Sequence, residues 1–333
     1  MKPYYENENG KLYCGDFLQN KLSDKSQQLI IADPPYYKIK GEFDFKWKTF
    51  EEYLIDVDLW AKECQRVLSS NGTVIWYGSS KKIAYSQIIL DKYFNLINNA
   101  VWDKGSFMGL EKSNDLRSLA PCTERILFYG SKEQGLTGLE FIEKEYIAPR
   151  NPFSIGLKKA RLKKGVSINE VAEYGHFYGN VNHGGSVTNW ERGYSIPNPE
   201  QWRILCLNLP IEQIEYNILL QEYEGLRREY EGLRRAWGNK YNLQEVLRFK
   251  NEQVSTGSKY DHDTVKPEHL TRALIETTTN KSTNVLVPFV GSGTECFVSE
   301  ELNMKWTGFE ISEKYCLIAA KRIEAENKQL KMF

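Results

Sequence analysis

Apolar and polar positions along this chain follow two rhythms. Short apolar runs bounded by turn residues occur at 29–32, 73–78, 97–102, 125–129, 284–289 and 306–310, and each predicts a buried strand. A shorter strand over 11–18 ends in a Gly-Asp turn at Gly15 and Asp16. Between the runs the spacing is helical. Phe50, Tyr53, Leu54, Val57, Trp60, Ala61, Cys64 and Leu68 share one face over 49–68, and Ser69, Ser70, Asn71 and Gly72 predict a turn that closes this helix. Another helix opens between Ser258 and Glu268 and runs to about 279, and one begins near Glu295. Strands alternating with helices imply an α/β fold: a doubly wound, largely parallel sheet covered on both faces.

The pattern changes near Asn151 and Pro152. A short helix over 156–165 carries Lys158, Lys159, Arg161, Lys163 and Lys164, and Ser167 with Glu170 forms a capping box for the next. A glycine-rich loop over 175–185 leads to a polar segment with Ser186, Thr188, Asn189 and Arg192, and a helix follows over 200–209 after Pro197 and Pro199. Short helices, the first basic and a later one polar-faced, suggest a helix-turn-helix module that contacts DNA. The plainer alternative is a small helical lobe with a solvated basic face. Over 222–235 the heptad Glu-Tyr-Glu-Gly-Leu-Arg-Arg occurs twice, which predicts a helix packed along a neighbour. The expected division is a catalytic part over 1–150, the inserted helical recognition domain over 151–210, a connector over 211–257 and a cofactor part over 258–333.

Composition narrows the function classes. The 333 residues suffice for two domains, or one domain with an insertion. Lys plus Arg and Asp plus Glu number 44 each, so any nucleic-acid binding must come from local asymmetry. No apolar run approaches the roughly 18 residues of a membrane span, and Met1-Lys2-Pro3-Tyr4-Tyr5 lacks the apolar core of a signal peptide. The six cysteines, at 14, 64, 122, 206, 296 and 316, form no Cys-x-x-Cys pair and have no histidine at metal spacing. These features predict a reduced, cytoplasmic protein without a structural metal.

Candidate chemistry gathers at strand ends. The run at 29–32 stops at Asp33-Pro34-Pro35-Tyr36, a carboxylate before a rigid elbow and an aromatic after it. The run at 284–289 leads into Val290-Gly291-Ser292-Gly293-Thr294 and then a helix, a geometry that suits a nucleoside cofactor. The next strand ends in Glu310, placed to accept ribose hydroxyls. Asp16 is a strand-end carboxylate or a helix cap. Cys14 and Cys296 have no identifiable activating base.

With these residues in view, the chain resembles the beta class of S-adenosylmethionine-dependent DNA amino-methyltransferases. Asp33-Pro34-Pro35-Tyr36 resembles their catalytic signature, Pro288-Phe289-Val290-Gly291-Ser292-Gly293-Thr294 their cofactor loop, and Gly308-Phe309-Glu310 their ribose-binding acid. Lys266-Pro267 resembles the segment flanking the methionine end of the cofactor, and Tyr13-Cys14-Gly15-Asp16 the element near the adenine. Catalytic motif first, recognition region second and cofactor loop last is the circularly permuted order of that class. Asn189-Trp190-Glu191-Arg192-Gly193 with Pro197 and Pro199 resembles helix-turn-helix repressors. One departure stands out: the family's usual Asp before Pro-Phe is Val287 here, which leaves one polar contact to the cofactor's methionine part either missing or supplied elsewhere.

The resemblance implies a Rossmann-like sheet and S-adenosylmethionine as the methyl donor, with no metal. Methyl transfer would go to an exocyclic amino group of a flipped-out base in double-stranded DNA. Asp33 and the Pro34 carbonyl would hold the amino group, Pro35 would stiffen the elbow and Tyr36 would stack on the base. Asp16, Lys266, Pro288, Phe289, Gly291, Ser292, Gly293, Thr294 and Glu310 would hold the cofactor. Asp at the first motif position points to N6 of adenine, with N4 of cytosine as the alternative. Lys158, Lys159, Arg161, Lys163 and Lys164 would anchor phosphates, and Ser186, Thr188, Asn189 and Arg192 would meet the groove or phosphates. The resemblance also admits a homodimer and a cognate restriction endonuclease as partners. From other classes come an inactive helix-turn-helix regulator and a methyltransferase acting on RNA or protein.

Overall fold

The computed structural model describes residues 1–39, 44, 46–105, 117, 119, 121–134, 146–177, 185–212, 215–250, 265–280 and 283–330. Parts of two expected segments, 178–184 of the glycine-rich loop and 258–264 before the late helix, lie outside the described residues. The chain forms two compact units, Met1–Leu136 with Arg235–Phe333, and Thr137–Arg234. These boundaries differ from the expected 150/151 and 257/258. The duplicated-heptad helix belongs to the helical unit, and the stretch after it returns a strand to the sheet.

The first unit is a Rossmann-like sheet. Its strands are β1 (Tyr5–Glu6), β2 (Gly10–Cys14), β3 (Gln27–Ala32), β4 (Leu68–Ser79), β5 (Phe94–Asp103), β6 (Thr123–Ser131), β7 (Val246–Arg248), β8 (Asn284–Val287) and β9 (Lys305–Glu310). Their spatial order is β1-β2-β9-β8-β3-β4-β6-β5-β7. The block from β2 through β9, β8 and β3 to β4 is parallel, whereas β6 runs antiparallel to both β4 and β5. Leu29, Ile30, Ile31 and Ala32 are buried, as an interior parallel strand covered on both faces requires. Helix α1 (Phe50–Val67) starts at Thr49, whose hydroxyl accepts from the Glu52 amide at 3.2 Å, and buries Tyr53, Val57, Trp60, Ala61 and Cys64. The turn expected over 69–72 is instead the start of β4. Leu68 pairs with Gln27, and the register then jumps so that Thr73 pairs with Leu29, a bulge that absorbs the turn-prone residues within the ladder. Helix α2 (Ile83–Leu90) follows.

The helical unit contains α3 (Pro152–Lys164), α4 (Ile168–Glu173), α5 (Gly185–Glu191), α6 (Pro199–Asn208) and α7 (Tyr216–Leu233). Its start and stop signals are local. Asn151 caps α3 by accepting from the Phe153 amide at 3.1 Å, Pro152 occupies the first turn, and Gly165 ends the helix at φ 76°. Ser167 and Glu170 form the capping box of α4, and Asn198 with Gln201 forms another for α6. Phe153, Leu157, Val171, Val187, Trp190, Trp202 and Leu205 build its core, against which α7 buries Leu219 and packs Tyr223. Gly193 lies at φ 75°, and a side chain there would collide with the Ala148 backbone.

The chain then re-enters the first unit with α8 (Glu268–Thr278), α9 (Thr294–Glu301) after β8, and α10 (Glu313–Leu330) after β9. The carboxyl ends of β3, β8 and β9 therefore lie side by side along one sheet edge. Because β6 is antiparallel to β4, its amino end reaches that edge too, with Glu124 opposite Ser79. Among the described residues no helix is long and apolar enough to cross a membrane.

Candidate active site

The elbow after β3 carries a compact charge cluster. Asp33 Oδ1 accepts the Tyr36 hydroxyl at 2.8 Å, and Asp33 Oδ2 meets Lys266 Nζ at 2.7 Å. Glu124 Oε2 accepts the same tyrosine hydroxyl at 3.2 Å and lies 3.5 Å from Lys266 Nζ, while its Oε1 meets Lys104 Nζ at 3.1 Å. The Tyr36 amide donates to Asp44, which fixes the chain just past the two prolines. Lys266 is 5% exposed, so the two carboxylates must hold its charge. Burial alone would strip its proton, but Asp33 and Glu124 outweigh burial and keep its pKa above the ordinary lysine value. Burial pushes the Asp33 carboxyl up, with Glu124 adding to the rise and Lys266 opposing it. Burial likewise pushes Glu124 up, but Lys266 and Lys104 overcome it and leave this carboxyl below the usual range. Burial, with Asp33 and Glu124 beside it, keeps the Tyr36 phenol protonated and donating.

Lys266, expected near the cofactor, thus pairs with Asp33 and Glu124 while lining the cavity. Only its backbone serves the glycine loop, its carbonyl accepting from the Thr294 hydroxyl at 3.3 Å. Three charged residues of this edge had not been singled out from the sequence: Lys104, Glu124 and Glu295. Glu124 heads an apolar strand, and Glu295 sits in a helix first turn, where an acid ordinarily reads as a partner for the helix dipole.

A cavity of about 360 Å³ opens along this edge. Asp33, Pro34, Pro35, Tyr36, Lys104, Glu124 and Lys266 line one part of it, and Asp16, Phe17, Phe309 and Glu310 line another. Pro288, Phe289, Gly291 and Ser292 of the loop after the intervening strand, and Glu295 of the helix that follows, also line it, whereas Gly293 and Thr294 are outside the lining. The loop's shape rests on glycine: Gly291 and Gly293 have φ 52° and 82°, and a Cβ on Gly293 would lie 2.8 Å from the Ala319 Cβ. Arg322 of α10 braces the loop by donating to the Ser292 carbonyl at 3.3 Å and the Thr294 hydroxyl at 2.9 Å.

Glu310 Oε2 accepts the Gly291 amide at 2.8 Å and Oε1 the Ser312 amide at 2.9 Å, and the Ile311 amide also acts on this carboxylate. A carboxylate has about four acceptor sites, so capacity remains for a ligand hydroxyl. Burial raises the Glu310 pKa, and those amide hydrogen bonds oppose the rise. Asp16 accepts from the Leu18 amide at 2.9 Å, so it caps a short turn while lining the cavity. Val287 is buried in the core and offers the cavity no polar atom. A carboxylate with capacity for a hydroxyl, an apolar slot bounded by Phe17, Phe289 and Phe309, and a bare glycine backbone fit a nucleoside with a charged tail.

In the helical unit Asn189 and Arg192 are exposed, and Ser186 and Thr188 are half-buried. Lys158, Lys159 and Lys163 are exposed on α3, with Lys159 3.4 Å from Glu212. Lys164 donates to the Asn208 carbonyl at 2.7 Å. Arg161 departs from the expected phosphate anchor: it donates to both carboxylate oxygens of Glu191 and to the Val166 carbonyl, tying α3 to α5. Three of the five guanidinium N–H donors are thus used inside the unit.

A DNA methylase family model for N6 and N4 methyltransferases matches residues 27–321. The Type II methyltransferase M.BamHI of Bacillus amyloliquefaciens is 26% identical, over 100% of this chain and 61% of that protein, so the chain spans about three fifths of that relative. The Type II methyltransferase M2.DpnII of Streptococcus pneumoniae is 24% identical over 98% of this chain and 94% of its own length. The structure of the PvuII DNA methyltransferase (cytosine-N4-specific) has a similar fold, with a TM-score of 0.55 at 15% identity over 96% of this chain and 88% of that one. With its motifs in the permuted order and most of its length matched, the chain belongs to the N6/N4 DNA methylase family, which draws its methyl group from S-adenosylmethionine.

Proposed function

We propose that this protein methylates the N6 amino group of adenine at a specific site in double-stranded DNA. The observation that carries the reading is the pinned Asp33 carboxylate, 19% exposed at the cavity, with Tyr36 on one oxygen and Lys266 on the other. An exocyclic amino nitrogen is a poor nucleophile because its lone pair is delocalised into the ring. The remaining lone pairs of Asp33, with the Pro34 carbonyl, can accept its two N–H groups and favour a tetrahedral nitrogen. Lys266 and Tyr36 fix the direction of those lone pairs in advance, so catalysis rests on alignment rather than a covalent intermediate. S-adenosylmethionine, when bound, supplies the electrophilic methyl. Glu310 would hold its ribose and the loop from Pro288 to Thr294 its tail.

The target base must leave the helix to reach such a cavity, at a cost of a few kcal/mol. Stacking on the Tyr36 ring, worth about 1–3 kcal/mol, offsets much of it. The helical unit is the proposed recognition module, with Lys158, Lys159 and Lys163 as phosphate contacts and Ser186, Thr188, Asn189 and Arg192 as groove candidates. The Type II relatives favour a cognate endonuclease as companion and a cytoplasmic setting.

Incubating unmodified DNA with methyl-labelled cofactor and identifying the modified nucleoside by mass tests the reading. N6-methyladenine is expected. N4-methylcytosine would reassign the base, and DNA binding without incorporation would favour an inactive regulator.

A further inference from the structure

Helix α9 carries two buried glutamates, and the structure satisfies only one of them fully. Glu300, 3% exposed, accepts from Trp306 Nε1 at 2.8 Å and from Asn9 Nδ2 at 3.1 Å. Glu295, 4% exposed, has its Oε1 shielded from solvent with no hydrogen-bond partner among the described residues. A buried carboxylate in that state is costly unless a cation or donor meets it. Glu295 lines the cavity, so a bound ligand can supply that partner.

The cations nearest to it have other duties. Lys266 is shared by Asp33 and Glu124, and Arg322 is paired with Glu268 at 2.7 Å as well as bracing the loop. The strand order puts β8 between β9 and β3. A ligand held by Glu310 at one end and presenting its reactive group to Asp33 at the other must pass over the loop after β8 and the first turn of α9, which carries Glu295. In place of an acid at the end of β8 stands the buried Val287.

We propose that Glu295 is the counter-charge for the α-ammonium of the bound S-adenosylmethionine, acting from the first turn of α9 in place of an acid at position 287. The assignment rests on the cofactor reading above. Of the ligand's two cationic centres only the ammonium has N–H groups, so it alone answers both the missing charge and the missing hydrogen bond. Besides its own backbone amide, the groups acting on this site are Asp33, Tyr77, Lys266, Cys296 and Arg322. Burial, with Asp33 adding to it, pushes the Glu295 carboxyl from 4.5 up to about 7 in the ligand-free protein. The sign follows from linkage. A raised carboxyl pKa favours folding fully below pH 4.5, and that contribution is lost as pH rises through about 7.

Calorimetric titration at pH 8 with S-adenosylhomocysteine, and with its analogue bearing hydrogen in place of the α-amino group, tests the assignment. Wild type should bind the intact compound; failure to do so overturns the cofactor reading and this one with it. Glu295→Gln should weaken the intact compound by about 10–100-fold, the range of one charge-assisted hydrogen bond. Binding of the deaminated analogue should stay within about twofold, because that ligand never used the charge. The ligand-free variant should melt cooperatively and above wild type at pH 8, with the gap closing as pH falls toward 4.5. An equal loss for both ligands, no loss for the intact one, or a variant melting below wild type at pH 8 would overturn the assignment.

Discussion

Two ion pairs, one in each unit, show how differently the fold can use a cation that reads as ligand-binding. Lys266 precedes a helix in a motif that resembles a cofactor segment, and Arg161 lies in a basic helix that invites phosphate. Both prove to be internally paired, Lys266 with Asp33 and Arg161 with Glu191. The consequences diverge with location. The Lys266 pair lines the cavity and orients a carboxylate that has lone pairs to spare. The Arg161 pair joins two helices and has no place in that cavity lining. A charge in a sequence shows that a partner is needed, and only the packing shows which partner it finds.

The largest effect should come from Asp33→Asn, which keeps the volume but replaces an acceptor-only oxygen with an amide donor. Methyl incorporation into DNA should fall by about 10²–10³-fold, as when a preorganised transition-state hydrogen bond is removed. Calorimetric binding of S-adenosylhomocysteine should change little. Full activity would remove Asp33 from the mechanism.

Lys266→Met comes next. It leaves Asp33 and Glu124 without their shared cation, so the protein should lose about 3–5 kcal/mol in chemical denaturation, the cost of breaking a buried pair. Asp33 accepts best when ionised, and burial already raises its pKa. Without Lys266 that pKa rises further, so activity should fail at a higher pH on acidification. A pH–rate profile with an unmoved acid limb would reduce Lys266 to a packing role.

The smallest effects belong to the helical unit and sharpen the contrast. Arg161→Met should cost about 1–3 kcal/mol through the stranded Glu191, yet leave the salt dependence of DNA binding unchanged. Lys158→Ala or Lys163→Ala should do the reverse: negligible loss of stability, and a salt slope reduced by about 0.9 each. A reduced slope for Arg161→Met would return that residue to the phosphate-binding set.

Much of the fold was legible in the chain because its signals are local. Leu29 to Ala32 reads as a buried strand, and the capping box of Ser167 and Glu170 is read from neighbouring residues. The turn expected over 69–72 failed for a non-local reason: pairing with β3 drew those residues into the ladder. Glu124 escaped notice because a largely parallel pattern places chemistry at strand ends, and this residue lies at a strand start. It reaches the edge only because β6 runs antiparallel to β4.

By itself the sequence determined the alternation of strands and helices, the Asp33 elbow, the glycine loop and the acid at Glu310. Backbone propensity, capping and tight turns act within a few residues, so each could be recognised where it stands. The tertiary structure alone decided how charge is balanced. It brought Lys266 and Glu124 onto Asp33, turned Arg161 onto Glu191, and left Glu295 Oε1 buried without a partner among the described residues. Desolvation and Coulomb energy depend on distances between residues far apart in the chain, and those distances exist only after folding.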